Sequence, residues 1–331
     1  MSDNSILSEE KINSICGSIP DIEKMENLRL EVKRRARIRT WYLVGGILLL
    51  AGIFMIFSKS ADRGMIMTVG LIVLMVLSAI VHFAWVHPPL KKLRLLFNKN
   101  IITHYITSIM PGAKYAPEKY HPLSIYYESR LFMIDADRYS GANYVEGMFD
   151  KTKLSFSYMH TEYKQVTRTK KGTETTWHTI FKGIFMCADS NKNFAGTTLV
   201  LPDTAEKYLG GFGKWLQKQA GSPVGEMVYM ENVKFEKEFV VYSTDPVEAR
   251  YLITPKIQEQ IHDMKTLLKN DVRLSFVNNH VFIAISRSDI FTLNTSLPFT
   301  DPKTLRYYMK DIIELLTLVH LLDLNIRIWG R

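Results

Sequence analysis

The chain has 331 residues, 47% of them hydrophobic, a formal charge of +9 and two cysteines. That length accommodates one large domain or two small ones beside an anchor. Cys16 and Cys187 are too few for a disulfide framework and suit a reducing compartment, and the basic excess points to an anionic partner, either nucleic acid or an acidic lipid surface.

In chain order, residues 1–40 read as N-terminal helices. Ile12 and Ile15 share one side of the first, with Gly17 as its stop, and Ser18-Ile19-Pro20-Asp21 resembles a capping arrangement for the second. Ile22, Met25, Leu28 or Arg29, and Val32 then recur every three or four residues. This apolar stripe is expected to pack within the chain rather than on another copy, and its helix to continue into the apolar segment that begins at Trp41.

Residues 41–87 read as a transmembrane helical hairpin. Trp41 to Phe57 has no charged residue, and its 17 positions cover roughly 26 Å at the helical rise. Met65 to Val86 has 22 positions and no Asp, Glu, Lys or Arg, and covers about 33 Å against a hydrocarbon core of about 30 Å. The polar stretch from Ser58 to Gly64 is a tight turn, so both spans start and end on one side. Lys33, Arg34, Arg35, Arg37 and Arg39 precede the first span, and Lys91, Lys92, Arg94 and Lys99 lie beyond the second. Basic flanks stay on the cytoplasmic side during insertion, which predicts cytoplasmic termini. Trp41, Tyr42 and Trp85 fit the aromatic belt at that interface. With so much of the charge beside the spans, lipid headgroups explain it better than nucleic acid does.

After the spans, His87-Pro88-Pro89 is expected to interrupt the helix, since proline lacks the N–H. A juxtamembrane helix over 88–112 carries Leu93, Phe97, Ile101, Tyr105 and Ile109 on one drifting face and stops at Met110-Pro111-Gly112.

Residues 123–331 read as a cytoplasmic α+β domain, with possible subdomains at 123–222 and 226–331. Tyr144 to Phe149, Lys153 to His160, Trp177 to Ala188 and Phe194 to Leu201 have strand composition and form an antiparallel meander, in which Leu154, Phe156 and Tyr158 alternate with serines. Tyr163 to Thr176, with Arg168, Lys170 and Lys171, reads as an exposed hairpin end or a mobile loop whose charges serve solvation. Thr204 to Ala220 reads as a helix. Its Gly210-Gly211-Phe212-Gly213-Lys214 is not a phosphate loop, because Tyr208 stands where a glycine is needed and Trp215 where Ser or Thr is needed. Strands at Met227 to Asn232 and Phe239 to Tyr242 lead to a helix started by Thr254-Pro255, with Ile257, Ile261, Met264 and Leu268 on one face. Leu274 to Val277 and Val281 to Ile285 flank the turn Asn278-Asn279-His280. A last helix begins at Asp301-Pro302, and Asn325 to Trp329 reads as a final strand.

Phe181-Lys182-Gly183-Ile184-Phe185 running to Phe194-Ala195-Gly196-Thr197, then Phe235 to Tyr242, and Asp245 to Pro255 carry a resemblance. Over roughly residues 90–331 the chain resembles a bacterial family catalogued only as a domain of unknown function. The resemblance implies an N-terminal hydrophobic hairpin, a cytoplasmic α+β domain and a bacterial inner-membrane location. Some members are encoded near LemA-type membrane proteins. It implies no activity, cofactor or catalytic residue.

The residues themselves show no catalytic motif. The sequence contains no HExxH, paired-Cys or Gly-x-Ser-x-Gly motif, and no metal, cofactor or catalytic residue is assigned. Cys187 reads as a buried inert thiol. Asp245, Glu248 and Arg250 form the densest polar group, either a recognition surface in which Arg250 holds a carboxylate or phosphate, or a turn in which Asp245 starts a helix and Arg250 pairs with Glu248 or Glu236. Asp135, Asp137 and Arg138 read as a salt-bridged loop rather than a cation site. The expected function is a membrane-anchored binding or scaffold protein, its partners the phospholipid bilayer and a membrane protein or another copy. The alternative is a membrane-bound enzyme acting on a phosphorylated or lipid substrate. A polar pocket uniting Asp135, Arg250 and a histidine would mark the enzyme, and an exposed apolar face on 19–38 would mark assembly.

Overall fold

The computed structural model describes residues 7–56, 63–169, 172–190, 192–203 and 225–322. The predicted helix Thr204 to Ala220, the predicted strand Asn325 to Trp329 and most of the turn after Phe57 lie outside them. The described residues fall into two compact units. A helical unit holds 10–104 and 293–309, and a sheet unit holds the remainder.

In the helical unit, α1 (Glu9–Gly17) precedes α2 (Ile22–Ile56), a single helix of 35 residues. The stripe of α2 faces inward, with Met25 fully buried and Arg29 and Val32 only 4% exposed. From Arg63 the chain is helical without a break to Ile109: α3 (Arg63–Val81), a π segment (His82–Val86), α4 (His87–Leu96), a second π segment (Phe97–Ile102) and α5 (Thr103–Ile109). The expected interruption at Pro88-Pro89 does not occur. The π turn lets His87 N–H donate to His82 O, and the prolines occupy the first positions of α4, where a missing N–H costs least. Among the described residues one helix, Met67–Ile109, is long and apolar enough to cross a membrane, and 6% of its most apolar 18-residue stretch is buried. The first predicted span is described as helix only to Ile56.

Helices α2 and α3 pack against each other through glycines. A Cβ on Gly46 would lie 2.5 Å from Leu74 Cδ1, and one on Gly70 would lie 2.6 Å from Leu50 Cδ2. Positions rising on α2 meet positions falling on α3, so the pair is antiparallel. Residues 293–309 also belong to this unit, and Phe299 and Tyr308 pack on Phe97 with ring centroids 6.2 and 4.8 Å away.

The sheet unit is built on nine strands in the order β1-β2-β3-β4-β9-β8-β5-β7-β6, every pairing antiparallel. They are β1 (Lys114–Ala116), β2 (Arg138–Phe149), β3 (Thr152–Thr169), β4 (Gly172–Asp189), β5 (Thr198–Pro202), β6 (Glu226–Met227), β7 (Phe239–Ser243), β8 (Val272–Val277) and β9 (His280–Ser286). Strands from 114–202 and from 226–286 interleave in this one sheet, β5 lying between β8 and β7. The β8–β9 turn places Asn278 at φ 55°, the left-handed backbone that asparagine tolerates.

On one face α6 (Leu123–Glu128) and the residues after it supply Tyr126, Leu131 and Phe132 to a core with Met159, Phe181, Phe185, Leu199, Phe282 and Ala284. Tyr126 stacks on Phe132 at 4.6 Å. Three shorter helices come next: α7 (Val233–Glu236), α8 (Pro246–Leu252) and α9 (Pro255–Leu268), the last burying Ile257, Ile261, Met264 and Leu268 as its periodicity requires. From residue 310 on, α10 (Pro302–Leu321) belongs to this unit and buries Ile312, Leu315, Leu316 and Val319. Arg287, at the end of β9, ties it down by donating to Asp311 at 2.7 Å and Glu314 at 3.2 Å.

Strands β3 and β4 pair from Leu154↔Ala188 to Thr169↔Gly172. Their neighbours stop sooner, β2 at Arg138↔Glu162 and β9 at Gly183↔Ser286. Over residues 163–169 and 172–178 the hairpin is therefore a ribbon of two strands, with no further strand on either outer edge among the described residues.

Candidate membrane interface

From Trp41 onward, many apolar side chains of α2, α3 and the first π segment are exposed. Trp41 is 69% exposed, Tyr42 73%, Leu48 67%, Met55 74%, Met75 66% and Phe83 67%. An exposed apolar surface on adjacent helices marks a site of membrane or protein contact. At the end of the pair where α2 passes the first π segment, the basic residues gather. Lys33, Arg34 and Arg37 on α2 are exposed, as are Lys91, Lys92 and Arg94 on α4.

Arg35 and Trp85 are the two predicted interface residues that meet. Pro89 has no N–H to offer the carbonyl four residues before it, Trp85 O, and Arg35 Nη1 donates there at 2.8 Å. The guanidinium also lies 5.6 Å from the centroid of the Trp85 ring and pairs with Glu31 one turn earlier. One turn further along α2, Arg39 Nη1 lies 2.7 Å from His82 Nδ1. The sequence does not disclose the contact of His82 with Arg39 or the role of Glu31; for Glu31 the spacing of four residues to Arg35 on one helix is the available signal.

The predicted recognition group resolves into separate structural tasks. Asp245 caps α8, accepting from Val247 N and Glu248 N at 3.0 Å each. Glu248 accepts from Ala195 N at 3.0 Å and Gly196 N at 2.8 Å, holding the segment that leads into β5. Arg250 is exposed, and its Nη1 reaches Pro246 O at 3.5 Å rather than a carboxylate of Glu248 or Glu236. Thr254 caps α9 through Ile257 N.

Asp135 is exposed, Asp137 accepts from Lys164 N at 2.7 Å, and Arg138 lies 3.5 Å over the Trp177 ring. Among the described residues no group of His, Cys, Asp and Glu is placed to hold a metal.

Two groups of the sheet unit that could have carried chemistry are held in place by burial. His121 Nδ1 lies 2.8 Å from Ser157 Oγ and its Nε2 lies 2.9 Å from Ser155 Oγ, so the ring spans two positions of β3. Burial pushes its pKa down to about 3 and keeps it neutral. Burial also pushes the Cys187 thiol up to about 12, which leaves it no nucleophilic thiolate near neutrality. A depression of about 560 Å³, open to solvent, is lined by Glu238, Lys265, Thr266, Lys269, Asn270, Asp271 and Ser286. It contains neither Asp135, Arg250 nor a histidine.

Residues 179–324 match the model of a family described as a protein of unknown function (DUF3137). The chain is thus similar to an uncharacterised family over a stretch that starts in β4 and ends beyond α10. No curated protein matches the chain. Among solved structures, one that the chain matches is the mycobacterial trehalose monomycolate transport factor A, TtfA, with 11% identity, 70% of this chain and 93% of that one covered, and a TM-score of 0.34.

Proposed function

We propose that the chain is a membrane-anchored binding or scaffold protein, held in the bacterial inner membrane by α2 and α3 as a two-span hairpin with both termini cytoplasmic. The observation that carries this reading is the outward apolar surface of the α2–α3 pair, bounded at one end by exposed basic residues. Lys33, Arg34, Arg37, Lys91, Lys92 and Arg94 sit at the headgroups, and Trp41 and Trp85 sit in the aromatic belt. The sheet unit then acts by binding a membrane protein or another copy of the chain, whose effective concentration the anchor raises.

Burial of Met25, Arg29 and Val32 on the stripe at 19–38 favours a partner contact elsewhere on the chain. The depression lined by Glu238, Lys265 and Asp271 does not bring Asp135, Arg250 and a histidine together, so it gives the enzyme alternative no support.

Alkaline carbonate extraction and cysteine-accessibility mapping of the full chain in native membranes test the anchor. Retention in the membrane, with labels at Lys11 and Lys303 accessible from the cytoplasm and one at Ser60 from the opposite side, is the expected outcome. Release by carbonate, or a label at Ser60 reactive from the cytoplasm, refutes the hairpin. Cross-linking in the same membranes tests the binding role, which fails if no specific link to another protein or copy forms.

A further inference from the structure

The two-stranded ribbon from Tyr163 to His178 sorts its residues by face. Residues opposite one another in an antiparallel pair point the same way, and successive residues point to opposite faces. From the register, one face carries Lys164 with Trp177, Val166 with Thr175, and Arg168 with Thr173. The other carries Tyr163 with His178, Gln165 with Thr176, and Thr167 with Glu174. Both described cations of the ribbon thus lie on the face that has the tryptophan and the valine, while its described acid, Glu174, lies on the opposite face. Arg138 adds a third cation by lying 3.5 Å over the Trp177 ring. Glu162, the acid on the cationic face, sits at the base of the ribbon, beside Arg138 in the β2–β3 register. Val166 is 50% exposed, and Lys164 and Arg168 are exposed.

Solvation alone explains charge on a free edge strand, where lysines discourage pairing with other chains. It does not explain the separation of the cations from the acid, or the apolar residues between the cations. A lone hairpin is marginally stable in water, so a ribbon this long gains from a surface to rest on. Cations flanking a tryptophan and an aliphatic side chain on one face match the headgroup and upper acyl region of an anionic bilayer.

We propose that the cationic face of this ribbon docks on an anionic phospholipid surface, giving the sheet unit a membrane contact of its own besides the helical anchor. The proposal rests on the anchored reading only for which membrane is nearest. Each cation removed weakens the association about fivefold.

Hydrogen exchange of the unmodified full chain in nanodiscs tests it. Amides of 163–169 and 172–178 are expected to exchange more slowly in discs containing phosphatidylglycerol than in pure phosphatidylcholine. The slowing is expected to vanish in the exposed double substitution K164E/R168E and to persist in E174Q. Equal exchange in the two kinds of disc, with the chain retained in both, overturns the proposal. Equal protection by a single-stranded oligonucleotide over pure phosphatidylcholine discs overturns the lipid assignment in favour of a nucleic-acid partner. Failure of the chain to stay in either disc refutes the anchor instead. In that event phosphatidylglycerol vesicles added to the same preparation still slow exchange in the ribbon if its docking is real, and leave exchange unchanged if it is not.

Discussion

Glu26 and Arg29, one turn apart on α2, form a bidentate ion pair that also grips the chain 266 and 273 positions later. Arg29 donates through Nε to Oε2 at 2.9 Å and through Nη2 to Oε1 at 2.6 Å. The remaining Nη1 donates to Thr295 O at 2.8 Å, and Glu26 Oε2 accepts from Phe299 N at 2.9 Å. The side chains are only 14% and 5% exposed. Substituting one partner leaves the other buried and unpaired, so E26A or R29A is expected to cost about 3 kcal/mol. Thermal melts in detergent check this, and early proteolysis near Thr295 is the expected local sign. Hydrogen bonding to Arg29 holds the Glu26 carboxyl below the usual carboxylate range. This contribution is therefore present above the ordinary carboxylate pKa and is lost as pH falls through the depressed one.

The glycine contacts between α2 and α3 predict a position-dependent response to bulk. G46L and G70L each force a side chain into space held by Leu74 or Leu50, and each is expected to lower stability by about 1–3 kcal/mol. Gly52 has nothing within 4 Å of a built Cβ, so G52L is the matched control and should leave the melting temperature near that of the parent. Equal effects at all three positions would show that the helices do not pack in this register.

Acid should weaken the sheet unit through His121. In the fold the ring stays neutral until about pH 3, whereas in the unfolded chain it takes a proton near pH 6.5. Between these values the unfolded state binds more protons, so stability falls as pH drops from about 6.5 towards 3. Urea unfolding at pH 7 and pH 5 measures the slope. H121N should be less stable at both values and show a shallower slope; an unchanged slope removes His121 from the account.

Within the Asp245 group the two charged neighbours should behave differently. E248A leaves Ala195 N and Gly196 N without their acceptor and is expected to cost about 1–3 kcal/mol. R250A removes an exposed side chain with one long contact and should fall within about 0.5 kcal/mol of the parent. Chemical denaturation of the two variants side by side decides. If R250A proves the costlier, the structural assignment of this group fails.

What the sequence disclosed tracks the range of the forces involved. The alternation of Leu154 and Phe156 with serines, the periodicity of Ile257, Ile261, Met264 and Leu268, and the caps Asp245 and Thr254 are local patterns, and each appears where the spacing placed it. The placement of β5 between β8 and β7 is not local, because nothing near residue 200 records which strands it will meet. The passage of helix through Pro88-Pro89 was missed because the donor that fills Trp85 O belongs to Arg35, fifty residues earlier. The length of the ribbon is not legible, because its polar composition suits a hairpin end and a loop alike and strands pair through backbone groups that composition does not show. The basic residues on α2 and α4 are legible as a cluster, but the contact between Arg35 and Trp85 is not.

The membership of residues 293–309 in the helical unit has a consequence for biosynthesis. The apolar segments leave the ribosome long before Thr295 and Phe299 are translated, so Glu26 and Arg29 enter the nascent chain without the backbone groups they finally hold. The sheet waits in the same way, since β4 must remain open on one edge until β9 emerges. Until residues 280–299 are made, the polypeptide therefore carries two unfinished surfaces.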